Sequence, residues 1–535
     1  MQSHLSNEIS AILANKASAD ESMGIKSKFE KDEQRANRFS KQLDDLFFDF
    51  SKSHIDQELV DTYLKYADEI SLVAARKDFL AGEKINNTEE RSVLHTLLRD
   101  SSNQGIATKE PSVLQEAKLA QQGFAEQFAR IEQALDQRSK PIKDIIHVGI
   151  GGSSLGTQLL FEALQDANEH RQIHFIGNID AHQLMNVFAK CDVQTTLVIG
   201  VSKTFTTAET LKNLDSICQW FKDNGVTDPL SNFFGVTANP EQASHYGLPD
   251  ENVVTFPEWV GGRYSVWSSV SLSAALVLGK DRFDEFLIGA ASMDKHFYQA
   301  DLKDNVCFQA AILDHYYANY MDVGSKAIFA YDFRFRSLVD YLQQLETESN
   351  GKDRTRDGEP CEQKTSMVVW GGVGTDVQHS VFQMLHQGTS LIPSEFILVK
   401  TPDHDLTEHH NELLANGIAQ TAALLEGQDL STVEAIHGDE GLSDAAKKAK
   451  VFSGDRPSLT ILLERLTPTA LGALLAFYEH RVFFGGVLTN INSFDQMGVE
   501  LGKRLAKQVR PLIDNKRATG TEFDPSTELL LSKLI

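Results

Sequence analysis

The segment of this chain best suited to acid–base chemistry is SLVDYLQQLETESNGK, residues 337–352. Its apolar residues recur at helical spacing, and continuing that helix at ~100° per residue places Glu348 on the flank of the apolar face, above Gln344, and Glu346 toward solvent. A carboxylate in the last helical turn feels the negative end of the helix dipole, which opposes its ionisation. Glu348 is therefore a candidate general base. The alternative is a solvated helix end that stops at Gly351.

Two loops combine the glycines and hydroxyls that can hold an anion. The first, in HVGIGGSSLGTQLLFEAL (residues 147–164), leads from an apolar strand into a helix, where unpaired N–H groups attract negative charge. A tight turn would need the same glycines. The second, in TTLVIGVSKTFTTAETLKNL, has four hydroxyls and a lysine at the end of another strand, which suits a phosphate monoester better than simple helix capping. The binding candidates in these loops are Gly152, Ser153, Ser202, Lys203, Thr204 and Thr207.

Other candidates are weak when taken singly. Arg263 lies on a glycine loop in EWVGGRYS, where an arginine could hold negative charge that develops on an oxygen. His386 precedes a Gly-Thr loop, and Gln496 and Lys503 share one face of a helix. A lone histidine is more often structural, and a helical lysine is more often solvated.

Two sets of elements must position these residues. The apolar runs DIIHVGI, QIHFIG, TTLVIGVS, NFFGVT and NVVTF alternate with helical patterns, which predicts a parallel sheet covered by helices on both faces. A second set, AIFAYD, SMVVWGG and FILVK, predicts a second α/β domain. The first hundred residues are predicted to be helical, with Thr88 capping a helix in NNTEERSVLHTLLRD.

The predicted boundaries follow from these patterns. They give an N-terminal helical part at 1–112, a smaller α/β domain at 113–280, a larger α/β domain at 281–508 and a C-terminal arm at 509–535.

Composition argues against several classes of protein. The formal net charge of −24 argues against general affinity for nucleic acid or anionic membranes. The four cysteines have no metal-binding spacing and fit a reducing compartment, so no metal is predicted. The N-terminus lacks a secretory apolar region, and the long apolar stretch from Leu466 is interrupted by Glu479, His480 and Arg481. We therefore expect a cytoplasmic protein whose long apolar stretch is a buried helix.

Taken together, these motifs resemble the glucose-6-phosphate isomerases (phosphoglucose isomerases). The resemblance rests on GIGGSSLG, SKTFTTAET, EWVGGRYS, QQLETESNGK, LHQGT, FSGDRPS and FDQMGVELGKRLAK, with NNTEERSVLHTLLR near the N-terminus. It implies two α/β/α sandwich domains of the sugar isomerase (SIS) type with mainly parallel sheets. It also implies a cofactor-free, metal-free interconversion of glucose 6-phosphate and fructose 6-phosphate, in glycolysis and gluconeogenesis, by a homodimer with shared active sites.

The resemblance also implies a role for each candidate residue. Glu348 matches the base that moves a proton between C1 and C2, and Arg263 the cation that steadies the enediolate. His386 and Lys503 match the ring-opening groups, with the histidine supplied by the partner subunit and oriented by Glu209. The substrate-binding positions are Gly152, Ser153, Ser202, Lys203, Thr204, Thr207, Gln344 and Gln496.

The chain departs from the usual family pattern at Ser154, Thr347 and Met497, which affects the expected substrate pocket more than the reaction type. A different class of protein, a SIS-type regulator that binds a sugar phosphate without turnover, would keep the two hydroxyl loops. It would have no use for Glu348, Arg263 and Lys503 together. A phosphomannose or amino-sugar isomerase fits the full-length match less well.

Overall fold

The computed structural model describes residues 6–99, 111–166, 170–514 and 523–534. The chain divides into two units, Met1–Ser493 and Phe494–Ile535. The first unit carries every described strand: β1 (Ser40–Leu43), β2 (Leu46–Asp49), β3 (Asp144–Val148), β4 (Gln172–Ile176), β5 (Thr196–Val201), β6 (Phe233–Thr237), β7 (Val253–Thr255), β8 (Ser325–Tyr331), β9 (Val368–Val373), β10 (Ser394–Thr401) and β11 (Ser458–Arg465).

Helices cover these strands and link them. Those of the first unit are α1 (Asn7–Met23), α2 (Lys26–Lys31), α3 (Arg35–Arg38), α4 (Gln57–Glu69), α5 (Leu72–Ala81), α6 (Pro111–Asp136), α7 (Leu155–Leu164), α8 (Ala181–Phe188), α9 (Ala208–Asp223), α10 (Pro240–Tyr246), α11 (Leu272–Leu278), α12 (Lys280–Gln299), α13 (Val306–Tyr320), α14 (Leu338–Gln343), α15 (Gln378–Gln387), α16 (Thr407–Glu426), α17 (Leu430–His437), α18 (Asp444–Lys448) and α19 (Pro468–Leu488). The second unit contains α20 (Glu500–Ile513) and α21 (Pro525–Leu534).

The first sheet has five parallel strands in the order β4-β3-β5-β6-β7. All five match apolar runs that the sequence analysis identified. Strand β5 is buried along its whole length, as expected for a central strand covered on both faces. Its neighbours β3 and β6 extend the same buried core, which α8 and α9 cover on one face.

The second sheet has six strands in the order β1-β2-β11-β10-β8-β9. Strands β8 to β11 are parallel, whereas β1 and β2 form an antiparallel hairpin that joins the sheet at β11. The predicted α/β class with mainly parallel sheets is thus confirmed. The hairpin was not predicted, because this stretch was assigned to helix with the rest of the first hundred residues.

The predicted helix in NNTEERSVLHTLLRD is wrong over most of its length. Thr88 does not cap a helix: its hydroxyl donates to Asn86 and accepts from the Asn492 amide at 2.8 Å. Asn86 bridges to Arg91, and Glu90 adopts a left-handed φ of 51°, which helical geometry excludes. Only His95–Leu98 forms a short 3₁₀ turn. Long-range hydrogen bonds to Asn492 replace the local cap.

The long apolar stretch is the buried helix α19, as predicted. Among the described residues it is the one helix with the length and hydropathy of a membrane span. Most of it is buried against other parts of the first unit, including α12 and α13. Its charged residues Glu479 and Arg481 are buried in ion pairs, with Arg99 and Asp314 respectively.

Candidate active site

The two predicted anion-binding loops leave neighbouring strands at the same edge of the first sheet. Strand β3 pairs in parallel with β5, and Val148 lies opposite Gly200 in the register. The glycine loop begins directly after β3, and the hydroxyl loop directly after β5. Ligands of open parallel sheets bind beyond the carboxyl ends of the strands, which is where both loops lie.

His147, a buried residue of β3, holds the glycine loop in place through hydrogen bonds. The His147 Nε2–H donates to the Ser153 carbonyl at 2.7 Å, and its Nδ1 accepts from the Ser273 hydroxyl at 2.8 Å. Burial lowers the pKa of His147 to about 4, so the ring is neutral near pH 7, as this pair of hydrogen bonds requires. His147 therefore fixes the loop that carries Gly152 and Ser153.

The third glycine of this loop, Gly152, lies against the loop that carries Arg263. A methyl group at Gly152 would lie 2.2 Å from the Gly262 carbonyl carbon, so no side chain fits there. The Ser265 hydroxyl donates to the Gly152 carbonyl at 3.0 Å and closes the contact. Glycine at 152 is therefore required for the two loops to meet.

The hydroxyl loop is organised around a buried aromatic residue. Phe205 adopts a left-handed φ of 50° while its ring is buried in the core of the first sheet. Such strain costs about 1–3 kcal/mol and is typical of functional loops. Outside the core, Ser202 and Thr207 are hydrogen-bonded to each other through their hydroxyls at 3.0 Å, and Thr204 to Thr206 at 2.7 Å. Thr207 makes no side-chain cap on α9 in the described chain, which contradicts simple capping.

The lysine of this loop has a cationic neighbour that the sequence analysis missed. Burial, followed by the charge of Arg91, lowers the pKa of Lys203. Arg91 forms an ion pair with Glu258 at 2.8 Å. Two cationic side chains thus lie near the hydroxyl loop. The long separation of Arg91 from the loop in sequence left no local signal for this.

Glu348 ends a single π-helical turn, Gln344–Glu348, that follows α14. Its Oε2 accepts from Gln344 Nε2 at 2.9 Å, so the predicted stacking of these two side chains is correct. A methyl group at Gly151 would lie 3.0 Å from the same Gln344 nitrogen, so this turn faces the glycine loop. π turns are rare and are frequent at functional sites.

Arg263 lies next to Glu348. One guanidinium nitrogen lies 3.7 Å from Glu348 Oε2. Another donates to the Ser349 hydroxyl at 2.6 Å, and a third to the Ser493 carbonyl at 2.7 Å. The side chain is almost fully buried. Arg263 is therefore a preorganised cation beside the candidate base.

Glu346 was predicted to point toward solvent, and this is wrong. Its side chain is buried and forms an ion pair with Lys326 of β8 at 2.7 Å. Burial, aided by nearby Asp314, raises the pKa of Glu346 against the opposing effect of Lys326. The prediction assumed a regular α-helix, whereas the π turn has a smaller angular step for each residue. The prediction also did not include Lys326, the charged partner of Glu346 on the sheet.

Glu346 belongs to a buried charge cluster next to the π turn Gln344–Glu348. Lys326 also pairs with Asp314 at 3.0 Å, and Arg481 of α19 contacts Asp314 at 2.7 Å and Glu395 at 2.6 Å. Charges buried in this way are costly unless each is paired, and here they are paired. The cluster joins the turn to β8, β10 and α19.

The residues after Glu348 are tied down as well. The Asn350 amide donates to the Val482 carbonyl at 3.0 Å, and its oxygen accepts from the Ser493 hydroxyl at 2.7 Å. The Lys352 ammonium donates to the Ser349 and Asn492 carbonyls, each at 2.8 Å. The Asn-Gly sequence ends the helix as predicted, and its polar residues also hold Glu348 in place.

His386 and Glu209 are not brought to this group by any described contact. His386 lies on α15, where its Nε2 is hydrogen-bonded to the Gln420 side-chain oxygen at 3.0 Å. Glu209 lies in the first turn of α9, just after the hydroxyl loop. Within a single chain, the predicted orientation of His386 by Glu209 stays a prediction.

Gln496 and Lys503 belong to the second unit. Both side chains are exposed, and Lys503 pairs with Glu500 at 2.9 Å along α20. Helix α20 is strongly amphipathic, with Leu501 and Leu505 exposed.

Comparison with known proteins is consistent with these geometric observations. The phosphoglucose isomerase family profile matches residues 49–531. The glucose-6-phosphate isomerase of Sphingopyxis alaskensis is 43% identical over 499 residues, which cover 93% of this chain and 93% of that relative. The glucose-6-phosphate isomerase of Zymomonas mobilis is 42% identical over 533 residues, which cover 98% and 99%.

Solved structures agree with the sequence relatives. A crystal structure of a glucose-6-phosphate isomerase from Chlamydia trachomatis superimposes with a TM-score of 0.84 at 29% identity, covering 99% of this chain and 98% of that one. A Thermus thermophilus protein, described as hypothetical protein TT0462, shares the fold with a TM-score of 0.61 at 23% identity. Because the profile and the sequence relatives extend over nearly the whole chain, this protein belongs to the phosphoglucose isomerase family.

Proposed function

We propose that this protein interconverts glucose 6-phosphate and fructose 6-phosphate by proton transfer through a cis-enediolate. The observation that carries the proposal is the position of Glu348 beside Arg263 and Gln344, facing the glycine loop. A base that removes a proton next to a carbonyl needs a cation for the oxygen that becomes negative, and the two groups are adjacent here.

In the proposed mechanism the phosphate binds at the hydroxyl loop. The hydroxyls of Ser202, Thr204 and Thr207, with the start of α9 and the Lys203 charge, supply the donors and the field. Gly152 and Ser153 line the neighbouring loop. The family resemblance assigns ring opening, which exposes the aldehyde, to His386 and Lys503, and substrate contacts to Gln344 and Gln496.

The proton transfer itself is assigned to Glu348. Its carboxylate removes the proton from C2 of the open aldose while Arg263 stabilises the oxyanion that forms at C1. The same carboxyl then returns a proton to C1 while the hydroxyl proton of O2 passes to O1, which leaves the ketose. Atoms and charge balance within the substrate and this one side chain, so the step consumes no further reactant.

We further propose that the active protein is a cytoplasmic homodimer. In this arrangement the partner subunit's His386 completes each site and Glu209 orients it; within one chain the described side-chain contact of His386 is with Gln420. We also propose the division into a smaller domain at 113–280 and a larger one at 281–508, with N-terminal residues 1–112 packed on the larger domain and an arm from 509.

A coupled assay tests the activity. Purified protein is given glucose 6-phosphate, mannose 6-phosphate or glucosamine 6-phosphate, and fructose 6-phosphate is measured. We expect turnover of glucose 6-phosphate and little with the other two. Saturable binding of glucose 6-phosphate without product would instead identify a SIS-type regulator, and preferred turnover of another substrate would identify a neighbouring isomerase class.

A further inference from the structure

Three side chains that can bind metals meet at the opposite edge of the first sheet. Asp144 begins β3, His174 lies in β4, and Cys191 follows α8 before β5. One donor atom from each lies within 4.8 Å of a donor atom of both others. Within the described ranges this is the one grouping of three such residues. Their wide separation along the chain explains why cysteine spacing predicted no metal.

The sheet register places the donors on one face. Asp144 lies opposite Gln172, and Ile146 opposite His174, so Asp144 and His174 are diagonal neighbours. Ile146 belongs to the core that α8 and α9 cover, and Cys191 packs at the edge of that core. The three donors therefore converge between the sheet and the segment that follows α8.

The contacts suit a metal without large movement. His174 Nε2 and Asp144 Oδ1 are hydrogen-bonded at 2.8 Å, so they need to separate by only about 0.5 Å to share a cation with bond lengths of about 2.0–2.2 Å in tetrahedral geometry. The side chains of Asp144 and His174 are 16% and 17% exposed, so an ion can reach the site while its ligands are held by their surroundings. Cys191 is half-buried and not in a disulfide.

The kind of cation follows from the donor set. One thiolate, one imidazole and one carboxylate are ligands that Zn²⁺ accepts in tetrahedral geometry, whereas Mg²⁺ and Ca²⁺ require oxygen ligands. We propose that Asp144, His174 and Cys191 form a binding site for a Zn²⁺-class divalent cation, with water in the fourth position.

Cation binding at this site should release a proton from Cys191. Cys191 is a free thiol, and a thiol that coordinates a cation gives up its proton. Binding displaces that proton to solvent and places two negative ligands on one divalent cation. Affinity should therefore increase as pH rises.

The site is a structural connection, not part of the reaction. It joins edge strand β4 to β3 and to the segment between α8 and β5, at the amino ends of these strands. The anion-binding loops lie at their carboxyl ends. Metal binding should consequently raise thermal stability and leave the candidate active-site geometry unchanged.

Titration with CoCl₂ and ZnCl₂ tests the proposal. Untagged full-length protein, freed of metal with a chelator, is titrated with Co²⁺ and the thiolate-to-cobalt charge-transfer absorption is recorded. We expect one equivalent bound, displacement by Zn²⁺, and a higher Tm with Zn²⁺. Cys191→Ser should abolish the band and weaken binding by at least about 100-fold, because losing even an outer partner of a metal ligand costs 10–100-fold.

Two further variants complete the test. Cys218→Ser removes another half-buried free thiol of the same sheet region and should bind Co²⁺ like the wild type. His174→Gln gives a second way to remove a ligand should Cys191→Ser fold poorly, and should likewise lose the stoichiometric site. An absent charge-transfer band in the wild type, or an unchanged band in Cys191→Ser, would overturn the proposal.

Discussion

At the scale of single residues, the candidate site depends on close contacts that leave little room for a larger or differently shaped side chain. Gly152 has no space for a side chain, because the Gly262 carbonyl lies where a methyl group would be. The Arg263 guanidinium donates hydrogen bonds to the Ser349 hydroxyl and the Ser493 carbonyl while it lies beside Glu348. The same contacts that stabilise the fold therefore set the position of the candidate base and the candidate cation.

Gly152→Ala should damage both stability and substrate binding. Forcing a methyl group against the Gly262 backbone costs about 1–3 kcal/mol and separates the glycine loop from the Arg263 loop. We expect a lower Tm and a higher KM for glucose 6-phosphate in the coupled assay. The control is Gly123→Ala in α6, where an added methyl group would meet no atom within 4 Å apart from its chain neighbours and its own helix backbone. This control should gain about 0.5–1 kcal/mol in helix stability. Wild-type KM and Tm in Gly152→Ala would contradict the loop contact.

At the scale of elements, the important one is the π turn Gln344–Glu348. Its outer end presents Glu348 to the glycine loop, and its inner side presents Glu346 to Lys326 on β8. The buried charge cluster therefore links the central part of the second sheet to the position of the candidate base.

Glu346→Gln should lower kcat more than it changes KM. The amide keeps the size of the side chain but loses the ion pair with Lys326, so the turn shifts. A shift near 1 Å can reduce turnover by about 100-fold. Steady-state kinetics measure the effect, and Glu346→Asp should recover part of kcat. The matched control is Glu464→Gln, which removes an exposed carboxylate paired with Lys400. Full kcat with a reduced Tm would limit Glu346 to a structural role.

The same turn shows what the sequence could and could not predict. Helical phase correctly put Glu348 next to Gln344, because both positions depend only on local geometry. It failed for Glu346, whose burial depends on Lys326 in a distant strand. Thr88 was misassigned for the same reason, since its partner Asn492 comes from the other end of the unit.

The sheets were predicted better than the N-terminal region. Apolar runs such as TLVIGV predict strands that are buried within a parallel sheet, and strands β3 to β10 coincide with such runs. The hairpin β1–β2 has short, partly exposed strands whose pairing depends on β11. His147 and Arg91 were missed because their roles arise from contacts across the fold.

At the scale of the whole molecule, buried histidines should make the fold sensitive to acid. Burial lowers the pKa of His54, His147 and His315 to about 4, from an ordinary value of 6.5. The unfolded chain therefore binds protons first as pH falls. Stability is complete above pH 6.5 and decreases toward pH 4, by up to about 1.4 kcal/mol per pH unit for each histidine.

Thermal melts at a fixed heating rate between pH 7 and pH 4.5 measure this dependence. The Tm should fall steadily below about pH 6.5. The slope should be shallower in His315→Gln, which removes one buried histidine, and unchanged in His182→Gln, whose ring is exposed. A Tm that does not change over this range would refute the assignment.

The proposed dimer can be tested by complementation. Glu348→Gln and His386→Ala are each expected to be inactive, but a mixed dimer would contain one intact site in two. Random mixing during refolding should restore about a quarter of wild-type activity, because half of the dimers are mixed. No recovery, with mixed dimers demonstrated by mass, would place each His386 in the site of its own chain.

The central claim is that Glu348 moves the proton between C2 and C1. The most direct measurement is deuterium incorporation from D₂O into the sugar phosphate during incubation with enzyme. The wild type should place deuterium at C2 of glucose 6-phosphate and C1 of fructose 6-phosphate, because the carboxyl exchanges with solvent between steps. Glu348→Gln should bind glucose 6-phosphate and reduce incorporation by at least about 100-fold. Incorporation at the wild-type rate in Glu348→Gln would contradict the assignment.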